Sequence, residues 1–109
     1  MSIKTITPAE LSQLHQASGA VTVIDVREPD EFSEVSVAIA ENYPLSRFDP
    51  ADFASKHDKL GKFFMLCRSG QRSLRAAQML EAQGFGSVFN VTGGMIAWES
   101  AGLPVIRKK

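Results

Sequence analysis

Cys67 is the single cysteine of a 109-residue chain, and the residues that follow it are Arg68, Ser69, Gly70, Gln71, Arg72 and Ser73. A lone cysteine ending an apolar run is ordinarily a small packing residue. These neighbours argue otherwise, because none of them helps to fill a core. Short polar residues around a glycine let backbone N–H groups turn toward one point, and a helix N-terminus beneath them adds free N–H groups and a positive dipole end. Such a nest binds anions. The anionic thiolate is the reactive form of cysteine, and a helix N-terminus beside arginine lowers a thiol pKa to roughly 3.5–7.5. The loop therefore offers a nucleophile in Cys67, donors from Arg68 to Ser73, and two cations in Arg68 and Arg72.

That chemistry needs a strand ending at Cys67 and a helix starting just after it. Lys62 to Leu66 is strongly apolar beyond its first residue and reads as a strand covered on both faces; Ser73 to Gln83 reads as a helix, with Leu74, Ala77 and Leu80 on one face and Gly84 as the stop. Elsewhere, Ile3 to Ile6 alternates like a short strand, and Thr7-Pro8-Ala9-Glu10 opens a helix with a capping box, an apolar face in Leu11 and Leu14, and a stop at Gly19. Val21 to Val26 is a second buried-type strand, followed by a polar turn into a short helical segment reaching Phe32. Asn42 to Leu45 is expected as a brief strand, placed at an edge by Pro44. Asp49-Pro50 opens a helix running to about Leu60, Ser87 to Val91 is a last strand, and Gly93-Gly94 turns into a helix over Met95 to Ser100. Strands alternating with helices imply an α/β domain with a mainly parallel sheet. Ligands on such sheets lie beyond the carboxyl ends of the strands, which selects the loops after Val26 and after Leu66.

Length suits one domain over residues 1–109, with no repeat or linker to divide it. Twelve basic and twelve acidic residues leave no net charge, so no chain-wide attraction to nucleic acid or to an anionic membrane is expected. The segment Met1 to His15 lacks the pattern of a signal peptide, and no apolar run is long enough for a bilayer. One cysteine forms no internal disulfide. A cytoplasmic protein is expected, with no metal and no resident cofactor.

The Cys67–Ser73 loop resembles the active-site loop of rhodanese-type sulfurtransferases, of the C-R-x-G-x-R-S variety. Three further blocks agree in order: Val23 to Phe32 is similar to I-D-V-R-x-x-x-E-F/Y, Asn42-Tyr43-Pro44-Leu45 to N-I-P-L, and Val91 to Trp98 to L-x-G-G-x-x-x-W. The resemblance covers almost the whole chain. It implies a rhodanese-like, five-stranded mainly parallel sheet flanked by helices on both faces, with a catalytic Cys67 at the sheet's C-terminal edge. It also implies transfer of sulfane sulfur from a small anionic donor to a thiol or cyanide acceptor through a Cys67 persulfide, with ping-pong kinetics as the signature. In that scheme N–H groups of Arg68, Ser69, Gly70, Gln71, Arg72 and Ser73 hold the persulfide, and the Arg68 and Arg72 guanidinium groups hold the donor. Two arginines suit thiosulfate or a persulfide better than 3-mercaptopyruvate, whose enzymes carry a less cationic loop. A sulfur-relay protein is a possible partner; a rhodanese-like binding or regulatory module is the non-enzymatic alternative.

Between Phe32 and Asn42 the family pattern x-x-G-H-I-x-G-A-x is broken: Val35, Ser36 and Ile39 replace its Gly, His and Gly. The loop is therefore expected to close with altered geometry, and Val35, Val37 and Ile39 to be buried rather than to form an exposed patch. A cysteine phosphatase or arsenate reductase is the enzymatic rival, but its loop places five residues between Cys and Arg, whereas four separate Cys67 from Arg72. Asp25 and Arg27 are expected to brace loops as a pair, Trp98 to anchor the last helix, and Arg107 to Lys109 to form a basic tail. His15 and His57 are expected as plain surface residues.

Overall fold

The computed structural model describes residues 3–19 and 21–107, so Lys108 and Lys109 of the expected basic tail lie outside the described residues. In chain order the elements are β1 (Lys4–Ile6), α1 (Pro8–Ser18), β2 (Thr22–Asp25), α2 (Pro29–Glu34), β3 (Val35–Ser36), β4 (Ala40–Asn42), a single 3-10 turn at Leu45–Arg47, α3 (Pro50–Lys56), β5 (Lys62–Leu66), α4 (Gln71–Ala82), β6 (Ser87–Val91), α5 (Gly94–Ser100) and β7 (Ile106–Arg107). Five strands form one sheet in the order β1-β6-β5-β2-β4, and every neighbouring pair in it is parallel.

Alternation along β5 explains the layering. Phe63 and Met65 point to one face, where Phe53 of α3 and Ala76, Ala77 and Leu80 of α4 cover them. Phe64 and Leu66 point to the other, against Leu11 of α1 and Met95 and Trp98 of α5. Successive strand residues face opposite sides, so a strand with helices on both must be apolar throughout. From β2 the chain steps outward to β4 on one side, and from β5 it steps outward to β6 on the other. The crevice between the ends of β2 and β5 is therefore the point where the winding reverses, the usual ligand position on an open parallel sheet.

Local signals set most element starts. Thr7 caps α1 through Glu10 in a capping box with Pro8 in the first turn, and Asp49 caps α3 by accepting from the N–H groups of Ala51 and Asp52. Four expectations need correction. The strand expected over Asn42 to Leu45 lies earlier, at Ala40–Asn42, and the chain then enters the 3-10 turn. α3 stops at Lys56 because His57 turns extended and stacks on Phe53, with ring centroids 3.9 Å apart. Neither histidine is a plain surface residue: His57 sits half-buried in an aromatic cluster, and the Nδ1 of His15 is shielded from solvent without a partner. Leu14 and Leu74, expected on core faces, are 37% and 38% exposed, while Ala76 is buried.

The altered segment 33–41 closes through a second, two-stranded sheet that the sequence did not signal. β3 pairs antiparallel with β7, Val35 opposite Arg107 and Ser36 opposite Ile106. Val37 is buried as expected, whereas Val35 and Ile39 pack only half-buried against the α1–α5 side of the core. Trp98 is buried as expected and donates from Nε1 to the carbonyl of Pro104. Among the described residues, no helix is long and apolar enough to cross a membrane.

Candidate active site

β5 delivers Cys67 to the crevice, and two neighbouring elements hold the backbone there. The N–H of Val26 after β2 donates to Leu66 O at 2.8 Å. From the start of α5, the N–H groups of Met95 and Ile96 donate to Cys67 O and Arg68 O at 2.7 and 3.0 Å. Such close approach leaves no space for a side chain at Gly94, whose φ of +57° is also the left-handed region open to glycine. α4 starts at Gln71, two residues before the expected Ser73, because Gly70 adopts φ 104° as its N-cap and turns the chain under the cysteine.

The result is a sulfur ringed by donors. Gly70 N–H donates to Cys67 Sγ at 3.1 Å, and Ser73 Oγ lies 3.2 Å from it. Burial pushes the thiol pKa up. Against that act the Ser73 hydroxyl and the backbone N–H groups of Ser73, Gly70 and Ser69, and the outcome lies below the ordinary cysteine value. Ser73 is itself fixed by a buried amide: its hydroxyl donates to Asn90 Oδ1 at 2.5 Å, while Asn90 Nδ2 donates to Gly70 O at 3.0 Å.

The two arginines part company. Arg68 is exposed at the mouth of the loop, on the rim of a cleft of about 460 Å³ bordered also by Arg27, Glu31, Glu34 and Ile96. Arg72, expected to hold a donor's anionic group, instead directs its fork to Glu31 of α2, with Nη1–Oε1 2.8 Å and Nη2–Oε2 3.0 Å. The Arg72 hydrogen bonds hold the Glu31 carboxyl down from 4.5 to about 2. Asp25 and Arg27 form the expected pair, fully buried: Arg27 bonds both carboxylate oxygens and also reaches Val35 O at 2.6 Å and Glu31 O at 3.3 Å. That guanidinium ties the end of β2 to the middle of α2 and to its C-cap.

Of the seven loop residues singled out from the sequence, Cys67, Gly70 and Ser73 converge on the sulfur by direct contact and Ser69 by its backbone. Arg68 and Gln71 face solvent, and Arg72 serves the Glu31 bridge. Asn90 and Glu31 join the site without being among the residues the sequence singles out. An amide in the middle of the core strand Ser87-Val88-Phe89-Asn90-Val91 was the available signal for Asn90; nothing local marked Glu31 as the partner of Arg72. Among the described residues, no three His, Cys, Asp or Glu side chains gather as a metal site would require.

A family model described as the rhodanese-like domain matches residues 7–101. An uncharacterized protein of Synechocystis is 38% identical over 105 residues; the match takes in 96% of this chain and 57% of that protein, so the chain spans little more than half of that relative's length. Thiosulfate sulfurtransferase GlpE of Pseudomonas putida is 33% identical over 97 residues, 89% of this chain and 86% of that protein. Among solved structures, a rhodanese-related protein of Thermoplasma volcanium superposes with a TM-score of 0.80 at 31% identity, covering 96% of this chain and 99% of the other.

Proposed function

The chain belongs to the rhodanese-like domain family, and from that premise we propose that it is a sulfurtransferase moving sulfane sulfur from thiosulfate or a persulfide to a thiophilic acceptor through Cys67. The observation that carries the reading is the donor ring around one buried sulfur, with Gly70 N–H at 3.1 Å and the Ser73 hydroxyl at 3.2 Å. A thiol buried among apolar residues alone would be inert; this one is held toward its ionised form.

In the first half-reaction the Cys67 thiolate attacks the outer sulfur of thiosulfate. The new Sγ–S bond forms as the S–S bond of the donor breaks, and sulfite leaves with the bonding pair. The N–H groups of Ser69, Gly70 and Ser73 meet the charge on the bound sulfur, as preorganised donors do for developing charge. Arg68 meets the incoming oxyanion at the mouth of the loop. Arg72 acts on this path as a brace, because its charge is already matched by Glu31. In the second half-reaction a thiol or cyanide takes the outer sulfur and Cys67 returns to thiolate. GlpE, a relative named as a thiosulfate sulfurtransferase, supports the donor class.

Intact mass after incubation with thiosulfate tests this. A gain of one sulfur atom that Cys67→Ala abolishes supports the reading. Gain from a small-molecule persulfide but none from thiosulfate makes the chain a carrier within a sulfur relay. No gain from either donor overturns transfer and leaves a binding module.

A further inference from the structure

The hydrogen bonds behind Cys67 contain a competition that the donor ring alone does not reveal. Asn90 is 8% exposed and Ser73 fully buried, so solvent does not complete their bonding. Gly70 O accepts only, which orients the Asn90 amide: Nδ2 faces Gly70 and Oδ1 faces Ser73. Ser73 has one hydroxyl hydrogen and two groups within reach that want it, Asn90 Oδ1 at 2.5 Å and Cys67 Sγ at 3.2 Å. With a neutral thiol both demands are met, since the S–H donates to Ser73 Oγ while Ser73 donates to Asn90. A thiolate has no hydrogen. Ser73 must then turn its own toward the sulfur and leave the Asn90 carbonyl oxygen unpaired in a buried site, which costs free energy.

We infer that Asn90 is a positioning residue that competes with the Cys67 sulfur for the Ser73 hydroxyl hydrogen, so that this hydrogen follows negative charge as the site loads. Resting on the sulfurtransferase reading, the consequence for turnover is direct. In the resting thiolate the charge sits on Sγ, and Ser73 serves it. Once the Sγ–S bond has formed and sulfite has left with its electron pair, the charge sits on the outer sulfur among the backbone N–H groups, and Sγ no longer needs a donor. The Ser73 hydrogen returns to Asn90, and the buried amide is satisfied again. Asn90 thus makes the thiolate less comfortable and the persulfide more so, favouring the loaded state. The charged groups around the sulfur do not imitate this. Arg72 of α4 is matched by Glu31 with Glu28 nearby on the α2 side, the buried Asp25–Arg27 pair at the end of β2 cancels internally, and Arg68 is exposed.

The pH profile of Cys67 alkylation by iodoacetamide reads the competition directly. Asn90→Leu removes the acceptor and moves the midpoint to lower pH by about half to one unit, the equivalent of one neutral hydrogen bond. Ser73→Ala removes the donor and moves it upward, and Asn90→Asp, which keeps and strengthens the acceptor, also moves it upward. Both Asn90 variants lose the tie to Gly70 O, so a merely structural role moves them in the same direction; that result, or no shift for Asn90→Leu, overturns the inference. Should leucine not be accommodated, Asn90→Ala is read the same way. At a fixed ratio of thiosulfate to sulfite, intact mass shows a loaded-to-free ratio about three- to tenfold lower in Asn90→Leu than in the parent chain, and an unchanged ratio refutes the loading role. If the parent chain takes no sulfur from thiosulfate, the proposed function has failed for that donor, whereas the alkylation series still decides the part played by Asn90.

Discussion

Substituting Gly94 by alanine attacks the cysteine loop from the helix that holds it. The new Cβ stands 2.3 Å from Cys67 O and 2.7 Å from both the carbonyl carbon and oxygen of Arg68. Comfortable contact needs about 3.5 Å, so the loop and α5 must separate by roughly 1 Å. The contacts are with backbone, and no side chain can rotate away to relieve them. Separation stretches the two hydrogen bonds from Met95 and Ile96, at about 0.5–1.5 kcal/mol each, and overpacking adds about 1–3 kcal/mol. The left-handed backbone at φ +57° costs an L-residue about 1–2 kcal/mol more. Since these effects overlap, the expected loss is about 3–5 kcal/mol, a large share of the stability of a domain this size. Gly102→Ala is the control. It has φ +74° with nothing within 4 Å of the added Cβ, so it loses only the conformational part, about 1–2 kcal/mol. Urea unfolding of the two variants against the parent measures the difference, and sulfur loading by intact mass follows whether the cysteine stays placed. If Gly94→Ala unfolds within about 0.5 kcal/mol of Gly102→Ala, the packing of α5 onto Cys67 does not hold the loop, and the reasoning fails.

Arg68→Ala is expected to raise KM for thiosulfate about tenfold, the size of one charge-assisted contact, and Arg72→Ala by no more than about threefold; steady-state assays showing the reverse order return the donor to Arg72. Asp25→Asn leaves the Arg27 guanidinium buried without its counter-charge and is expected to cost about 3 kcal/mol in urea unfolding, a loss below 1 kcal/mol refuting the bracing role. The folded pKa of Glu31 is depressed from 4.5 to about 2, so its stabilisation is present above the unfolded value and is lost as pH falls through that window. Because both partners are about a third exposed, screening limits the gain to about 1 kcal/mol; acid titration of stability should therefore be shallower in Glu31→Gln than in the parent between those two values, and parallel curves would contradict the pairing.

Which parts of this were legible in advance follows from how far each determining contact reaches. Thr7-Pro8-Ala9-Glu10 announces α1 because a capping box closes within four residues. The apolar run of β5 announces a strand buried on both faces because β-periodicity is local. α4 starts two residues earlier than the sequence suggests because Gly70 caps it by backbone conformation, with no side-chain bond to mark it. β3 and β7 leave no sequence signal because each is two residues long and neither carries a pattern. The Arg72–Glu31 bridge joins residues 41 apart, and only the position of α2 distinguishes the two arginines of the loop.

The sequence by itself determined the fold class and where the proposed chemistry would lie: one cysteine, followed by a glycine-centred polar loop, at the end of an apolar strand in an alternating α/β order. Those properties are set by residue type and by spacings of a few positions, which survive without knowledge of the fold. Only the tertiary structure decided which groups surround that cysteine. Hydrogen bonds and ion pairs act within about 3 Å, and which groups come that close is fixed by the packing of elements remote in sequence. So β6 brings Asn90 to the hydroxyl behind Cys67, α2 pairs Arg72 with Glu31, and Arg68 is left facing the cleft.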